Sequence, residues 1–374
     1  MASNERDAAS WVLELESCDG DPARRVGGLP LALRVALDAQ AGGARAVVVA
    51  PERSRVRELL RDSRLRLPVV DRAPDESQRI VVPDCLVVHR MTFKRLTEQG
   101  ALPASRTLDE APLGLDVPFG FEPILVRDAA AARRAERALF RALRKPQDGW
   151  TSRWLNRYVS LAISRLLVKT PLLPNQVSIG ILAIGLFGAW LVSRGDWLAM
   201  ASGAFLFQLQ SILDGCDGEM SRITYRGSLT GEWLDTVGDD LTNYAFFAGA
   251  AYGLYTSTGH AFYLVAGGVT VVCGFIASGI EYRYLIRIGS GDLLKYPLQS
   301  PGAEQQPGGL FQAIQPLFKR DTFVFLTFLA ALAGLLGPVL VVFSLGAVGI
   351  VISVFAAEAR MARERRQSAG RPLS

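Results

Sequence analysis

From residue 176 to residue 357 the chain carries repeated apolar stretches of bilayer-spanning length, and nothing else in it limits the fold so strongly. In hydrocarbon every backbone polar group must find its partner within the protein, so such stretches fold as helices. Six spans are expected, over 176–193, 197 to about 219, 231–255, 261–282, 322–336 and 338–357. Gly337-Pro338 reads as the tight turn between the last two, and 289–316, rich in Gly, Pro, Gln and Ser, as a loop.

Charge orients these spans. Arg222 and Arg226 share one loop, Arg283, Arg287, Lys295, Lys319 and Arg320 another, and Arg360, Arg363, Arg365 and Arg366 follow the last span, whereas the opposite loops hold only Arg194. By the positive-inside rule the basic loops face the cytoplasm, and an even number of spans puts both termini there. The expected location is the inner (cytoplasmic) membrane, with membrane lipids as surroundings. The net charge of +5 is thereby explained without nucleic acid, for which no basic run interleaved with aromatics is present. Cys18, Cys85, Cys216 and Cys273 are scattered without metal-ligand spacing, and read as unpaired thiols of a reducing compartment. The start has no apolar signal segment, and His89 and His260 are too isolated for a zinc site or a histidine triad.

Before the spans the text changes character. Strand-like runs WVLEL, ARAVVVAP and RIVVP alternate with helical stretches LPLALRVALDAQAGG and SRVRELLRDSR, which predicts a parallel sheet flanked by helices. A charged, Ala-rich helix over 129–143 ends at a breaker cluster around Lys145, Pro146, Asp148 and Gly149. Over 152–169, Trp154, Leu155, Tyr158, Ala162 and Leu166 fall toward one side, and Arg153, Asn156, Arg157, Ser160 and Ser164 largely on others, as in a helix lying on a bilayer surface. The fold class is thus an α-helical integral membrane protein preceded by an interfacial helix and a soluble α/β domain. The expected organisation is 1–147 soluble, 148–172 interfacial, 173–360 membrane and 361–374 a basic tail.

The chemistry concentrates in Asp214-Gly-Cys-Asp217-Gly218-Glu-Met-Ser221-Arg222, then eight residues, then Gly231-Glu-Trp-Leu-Asp235-Thr-Val-Gly-Asp239. Asp214 and Asp217 are three apart and Asp235 and Asp239 four apart, so each pair shares a helical face. An ionised side chain in a membrane segment costs on the order of 3 kcal/mol, and neighbouring carboxylates repel further. Helix-cap acids paired with loop arginines would suit a lone Asp-x-x-Asp, but four acids in register with two glycines and an arginine need stronger compensation. Hard divalent cations provide it, which implies Mg²⁺ or Mn²⁺, one or two ions and on balance two. Such a site suits a diphosphate, with Arg222 pairing charge and Gly218 and Gly231 allowing close backbone approach. Asp239, last in the series and deepest in its span, is the expected base for an attacking hydroxyl.

These residues resemble the CDP-alcohol phosphotransferase family, whose signature is Asp-x2-Asp-Gly-x2-Ala-Arg-x8-Gly-x3-Asp-x3-Asp. Asp214, Asp217, Gly218, Arg222, Gly231, Asp235 and Asp239 match it, with Ser221 replacing the usual Ala. The resemblance covers about residue 148 to the end. It implies transfer of a phospho-alcohol group from a CDP-alcohol donor to an acceptor hydroxyl with release of CMP, in a homodimer. It further implies Asp214, Asp217, Asp235 and Asp239 as metal ligands, and Gly218, Arg222 and Gly231 as nucleotide contacts. Asn175, after Pro174, joins them or simply caps a helix.

Within the family the text is most similar to the di-myo-inositol-phosphate-phosphate synthase branch, in which a cytidylyltransferase precedes the membrane transferase. That implies a CDP-inositol-like donor and inositol phosphate as acceptor. Arg25-Val-Gly-Gly-Leu-Pro resembles the nucleotidyltransferase segment just after its nucleotide loop, and Asp84 its metal-bearing strand end. Yet the acidic Glu14-Leu-Glu-Ser-Cys-Asp-Gly-Asp stands where a glycine-rich phosphate loop belongs, so the soluble domain reads as catalytically degenerate, with Asp84 structural. Arg283, Arg287, Lys319 and Arg320 are candidates for an acceptor phosphate, or for membrane anchoring. Rival readings are a phosphatidyltransferase using CDP-diacylglycerol in phospholipid biosynthesis, a divalent-cation transporter, and a non-catalytic membrane anchor.

Overall fold

A computed structural model describes residues 11–74, 77–98, 105–109, 120–144, 152–297 and 320–369. Two compact units emerge: unit 1 comprises Met1–Lys145, Arg165–Pro171 and Met220–Arg226, and unit 2 comprises Pro146–Ser164, Leu172–Glu219 and Gly227–Ser374.

Unit 1 is built on a parallel sheet. Its strands are β1 (Trp11–Glu16), β4 (Val47–Val48), β5 (Val69–Val70), β6 (Gln78–Pro83) and β8 (Ser105–Thr107), in the order β5-β4-β1-β6-β8. The chain leaves β1 for one edge and returns to the other side through β6, as in doubly wound sheets. Trp11, Val12 and Leu13 are all buried, the continuous apolar run expected of a strand covered on both faces. Helix α1 (Leu31–Ala41) is buried from Leu31 through Ala39, and Trp11 stacks on Phe93 of α3 (Thr92–Glu98). A short hairpin, β2 (Arg25–Val26) with β3 (Leu29–Pro30), precedes α1. The remaining elements are α2 (Ser54–Leu59), the pair β7 (Leu86–Val87) and β9 (Ile124–Leu125), and α4 (Ala129–Arg141), whose N-cap Asp128 accepts from the Ala131 N–H.

One expectation fails here: Cys18 and Cys85 form a disulfide. Glu16 and Pro83 are register partners of β1 and β6, and each cysteine lies two residues beyond its strand, so in-register pairing carries the two side by side. The inference of a reducing compartment from unpaired cysteines therefore loses its ground. Cys216 and Cys273 are free.

Unit 2 is helical. A π-helical turn, Ser152–Asn156, leads into α5 (Arg157–Leu167), followed by α6 (Pro174–Val192), α7 (Trp197–Leu213), α8 (Gly215–Thr224), α9 (Leu229–Thr258), α10 (Phe262–Ile288), α11 (Arg320–Leu332) and α12 (Leu336–Ala369). Helices α5 and α8 each end in stretches assigned to unit 1. The interior is aromatic, with Phe207 of α7 stacked on Phe246 of α9 at 4.2 Å between centroids. Outward faces are apolar as well: Phe187, Trp190, Val265, Phe275, Leu345 and Ile352 are all exposed. A helix that is apolar all round belongs in lipid or in a large core.

Three described helices are long and apolar enough to cross a membrane, within Pro174–Val192, Phe262–Ile288 and Leu336–Arg363. The expected second span is interrupted at Asp214, where α7 gives way to α8. The last two helices are joined at 333–335, with Gly334 at φ +72°, rather than at Gly337-Pro338, which sit in the first turn of α12. Proline is tolerated there because first-turn N–H groups have no intrahelical acceptor.

The amphipathic segment turns its apolar side outward. Leu166 is 67% exposed and Tyr158 54%, while Ser160 and Ser164 are at 1% and 0%. This inversion of the usual globular pattern is what a helix facing lipid requires. The side chain of Trp154 and the breaker cluster at 145–150 lie outside the described residues, as does 298–316 of the expected loop.

Candidate active site

Asp214 follows the last residue of α7, Asp217 lies in the first turn of α8, and Asp235 and Asp239 are successive turns of α9. Helix α9 is started by Ser228, whose hydroxyl accepts from the Gly231 N–H at 3.0 Å. That cap sets the register in which Asp235 and Asp239 follow on one face.

Arg320 of α11 stands between the two pairs. Its Nη1 lies 3.1 Å from Asp214 Oδ2, and its Nη2 lies 2.9 Å from Asp239 Oδ1 and 2.8 Å from Gln210 Oε1. Asp214 is also within hydrogen-bonding reach of Asp239, and Asp235 acts on Asp239 electrostatically. Asp217 is buried and accepts from the Ser178 hydroxyl and, at 2.5 Å, from the Gly218 N–H. Asp240 turns to α10, where Ser278 and Tyr282 donate to it. It is a satisfied neighbour, not one of the convergent acids.

Of the remaining predicted site residues, Gly218 follows Asp217 directly, and Arg222 lies in the last turn of α8. A Cβ placed on Gly231 would lie 3.0 Å from Asn175 Oδ1, so these two candidate nucleotide contacts adjoin. Arg283 and Arg287 are exposed on the last turns of α10, without an ion pair among the described residues, and Lys319 lies outside the described residues. Of the three proposed acceptor contacts that are described, Arg320 is the one brought to the aspartates.

The all-oxygen donor set fits a hard divalent ion. The guanidinium bridging Asp214 and Asp239 occupies the place of a cation among them. Among the described residues, the group offering three metal-ligand atoms within 4.8 Å of one another is instead Cys18, Asp84 and Cys85. That cluster lies at the carboxyl ends of β1 and β6, where a doubly wound sheet opens its ligand crevice. Here two of the three residues are joined in the disulfide, and Arg53 donates to the third, Asp84.

Sequence reasoning passed over Glu219. It is fully buried and receives Arg157 Nη1 at 2.6 Å, Ser160 Oγ at 2.9 Å and Ser164 Oγ at 2.7 Å. The polar side of α5 is thereby tied to α8 two residues after Asp217. An acid at a free position of the motif, opposite a helix with Arg and Ser at i, i+3 and i+7, was the available signal.

No protein-family profile matches the chain. It is 31% identical over 169 residues to the bifunctional IPC transferase and DIPP synthase of Aquifex aeolicus (strain VF5), covering 45% of this chain and 36% of that protein. The proteins of the same description from Thermococcus kodakarensis and Archaeoglobus fulgidus are 36% and 31% identical over 121 and 193 residues. These matches cover 32% and 51% of this chain and 27% and 38% of the relatives. The chain thus spans about a third of the length of the curated relatives it matches. Among solved structures, Mycobacterium tuberculosis phosphatidylinositol phosphate synthase (PgsA1) with CDP-DAG bound superposes with a TM-score of 0.41 at 18% identity, covering 54% of this chain and 93% of that one. In sequence, then, this chain is similar, over part of its length, to proteins described as bifunctional IPC transferase and DIPP synthase.

Proposed function

We propose that the chain is a Mg²⁺-dependent or Mn²⁺-dependent CDP-alcohol phosphotransferase with six membrane spans and its site on the cytoplasmic side. It takes a CDP-inositol-like donor and inositol phosphate or a similar hydroxyl acceptor. The observation that carries this reading is the gathering of Asp214, Asp235 and Asp239 around one cation, Arg320, in a helical unit with apolar outer faces.

Asp214, Asp217, Asp235 and Asp239 would hold the metal, which would supply charge neutralisation for the diphosphate and its leaving group. The chain's own residues do the rest. Gly218, Gly231 and Asn175 let the nucleotide approach the backbone, and Arg222 pairs with its charge. Asp239 takes the proton of the acceptor hydroxyl as that oxygen attacks the phosphorus bearing the donor alcohol. The bond from this phosphorus to the bridging oxygen breaks, and CMP leaves with that oxygen. Arg320, freed from the carboxylates, would meet an acceptor phosphate. Unit 1 serves as a scaffold: Cys18 and Cys85 are tied up in the disulfide and Asp84 is paired with Arg53, which leaves that cluster engaged. A homodimer is the assembly that the family resemblance brings.

The test offers CDP-inositol or CDP-diacylglycerol to purified protein with Mg²⁺, with and without inositol phosphate, and identifies products by mass. A phosphodiester product with stoichiometric CMP from CDP-inositol, abolished by Asp239→Asn, is expected. Turnover of CDP-diacylglycerol alone would transfer the assignment to phosphatidyl transfer, and no turnover of any CDP-alcohol would refute it.

A further inference from the structure

We propose that unit 1 carries a second, non-catalytic anion site: a small basic cavity that takes the phosphate group of a phosphate ester. The cavity has a volume of about 270 Å³ and is lined by Arg25, Arg64, Lys169 and Arg226, with Asp62 as its one acid. Two of these cations are already engaged. Arg64 forks onto Asp62, with Nε–Oδ1 and Nη2–Oδ2 both at 2.7 Å, and gives its Nη1 to the Thr224 carbonyl at 2.9 Å. Lys169 lies 3.5 Å from Glu136. Arg226 acts on the same Asp62 electrostatically, and Arg25 has no ion pair among the described residues, so the four cations of the lining outnumber its one acid.

The cavity is preformed where three distant stretches of chain meet. The β2–β3 hairpin turns through Gly27 and Gly28 at φ +55° and +79°, a two-residue turn that demands glycine. A Cβ on Gly28 would stand 2.5 Å from the Val168 carbonyl oxygen, and one on Gly27 would stand 2.8 Å from Ile223 Cγ2. Glycine at both positions lets the hairpin close on residues 165–171 and 220–226, which carry Lys169 and Arg226. The segment that resembles a nucleotidyltransferase thus has a different use here.

Phosphate is the anion that paired guanidinium forks match best. The volume is at the small end of ligand cavities, roughly 300–1,000 Å³, and suits a phosphate with a small attached group. Leu33 and Leu59 offer wall for its carbons. Pro171 lies three residues before α6 and Arg226 three residues before α9. Both a lipid headgroup and a soluble phosphate ester are therefore sources of this chemistry.

The experiment uses the full chain in nanodiscs. In neutral phosphatidylcholine discs, inorganic phosphate and glycerol 1-phosphate are titrated by calorimetry. In discs containing phosphatidylglycerol, lipid retained on release is counted by native mass spectrometry. Saturable binding in either arm, weakened about tenfold by each of Arg25→Gln and Arg226→Gln, is expected, and the arm that responds names the source. The Arg→Lys variants, which keep charge and lose the fork, fall in between and serve where a Gln variant lowers the thermal midpoint. Asp239→Asn binds like the parent, which separates this site from the aspartates. No saturable binding in either arm, or binding equal to the parent in the folded double Gln variant, overturns the proposal.

Discussion

Removing Glu219 isolates a buried charge, and its cost can be worked from the structure. The carboxylate is wholly out of solvent, while the Arg157 side chain, 10% exposed, faces it at 2.6 Å with Ser160 and Ser164 completing the shell. Breaking a buried pair from one side leaves the other ion uncompensated and costs about 3–5 kcal/mol. Replacing both ions by apolar residues of similar volume is often close to neutral. Glu219→Leu should therefore lower the thermal midpoint of the detergent-solubilised protein by about 10 °C. Arg157→Met with Glu219→Leu should recover much of that loss. Glu219→Gln, which keeps the shape and accepts from the serines, should fall between. Intrinsic fluorescence of the unit 2 tryptophans, followed on heating, reads all three. Glu219→Leu within about 1 kcal/mol of the parent, or a double variant no more stable than Glu219→Leu, would refute the reasoning.

Two further outcomes are expected. Arg320→Met removes the cation between Asp214 and Asp239, so without divalent metal the thermal midpoint should fall by the equivalent of about 2–4 kcal/mol, and added Mg²⁺ should restore more stability than it adds to the parent; equal midpoints without metal would contradict this. In unit 1, burial holds His89 down at about 4 and pushes Asp38 up to about 7. As pH falls through 6.5 toward 4, the unfolded chain protonates its histidine first and stability is lost, by about 3 kcal/mol. Over the same window folded Asp38 keeps a proton that the unfolded chain releases, so its contribution grows as pH falls through 7. The two oppose each other, and Asp38→Asn should unmask the histidine. Hydrogen exchange in β1 and α1 of that variant should quicken steadily from pH 7 to 4, after correction for intrinsic rates, and a flat profile would dismiss it.

What could be read in the text, and what could not, follows from the range of the forces involved. The alternation of strand-like and helical runs foretold the parallel sheet, because a buried parallel strand carries its own signal: WVLEL is apolar but for Glu14 and pairs on both sides. The outward apolar side of α5 was visible in its periodicity. Cys18 and Cys85 were not a visible pair, since 67 residues separate them and only strand register brings them together. The break at Asp214 was hidden because the helix resumes one residue later with helical dihedrals at the junction. The placement of the turn at Gly334 turned on one left-handed residue, where the Gly337-Pro338 pair looked the stronger signal. The four aspartates announced themselves by spacing, whereas Arg320 and Glu219 acquire their roles from helices more than fifty residues away.

Direct titration of Mn²⁺ into the metal-free protein, followed by electron paramagnetic resonance of the free ion, probes the central claim. The account predicts saturable Mn²⁺ uptake, displaced by Mg²⁺ and lost in Asp214→Asn with Asp235→Asn. A folded protein that leaves all Mn²⁺ free, or uptake unchanged in that double variant, would contradict it.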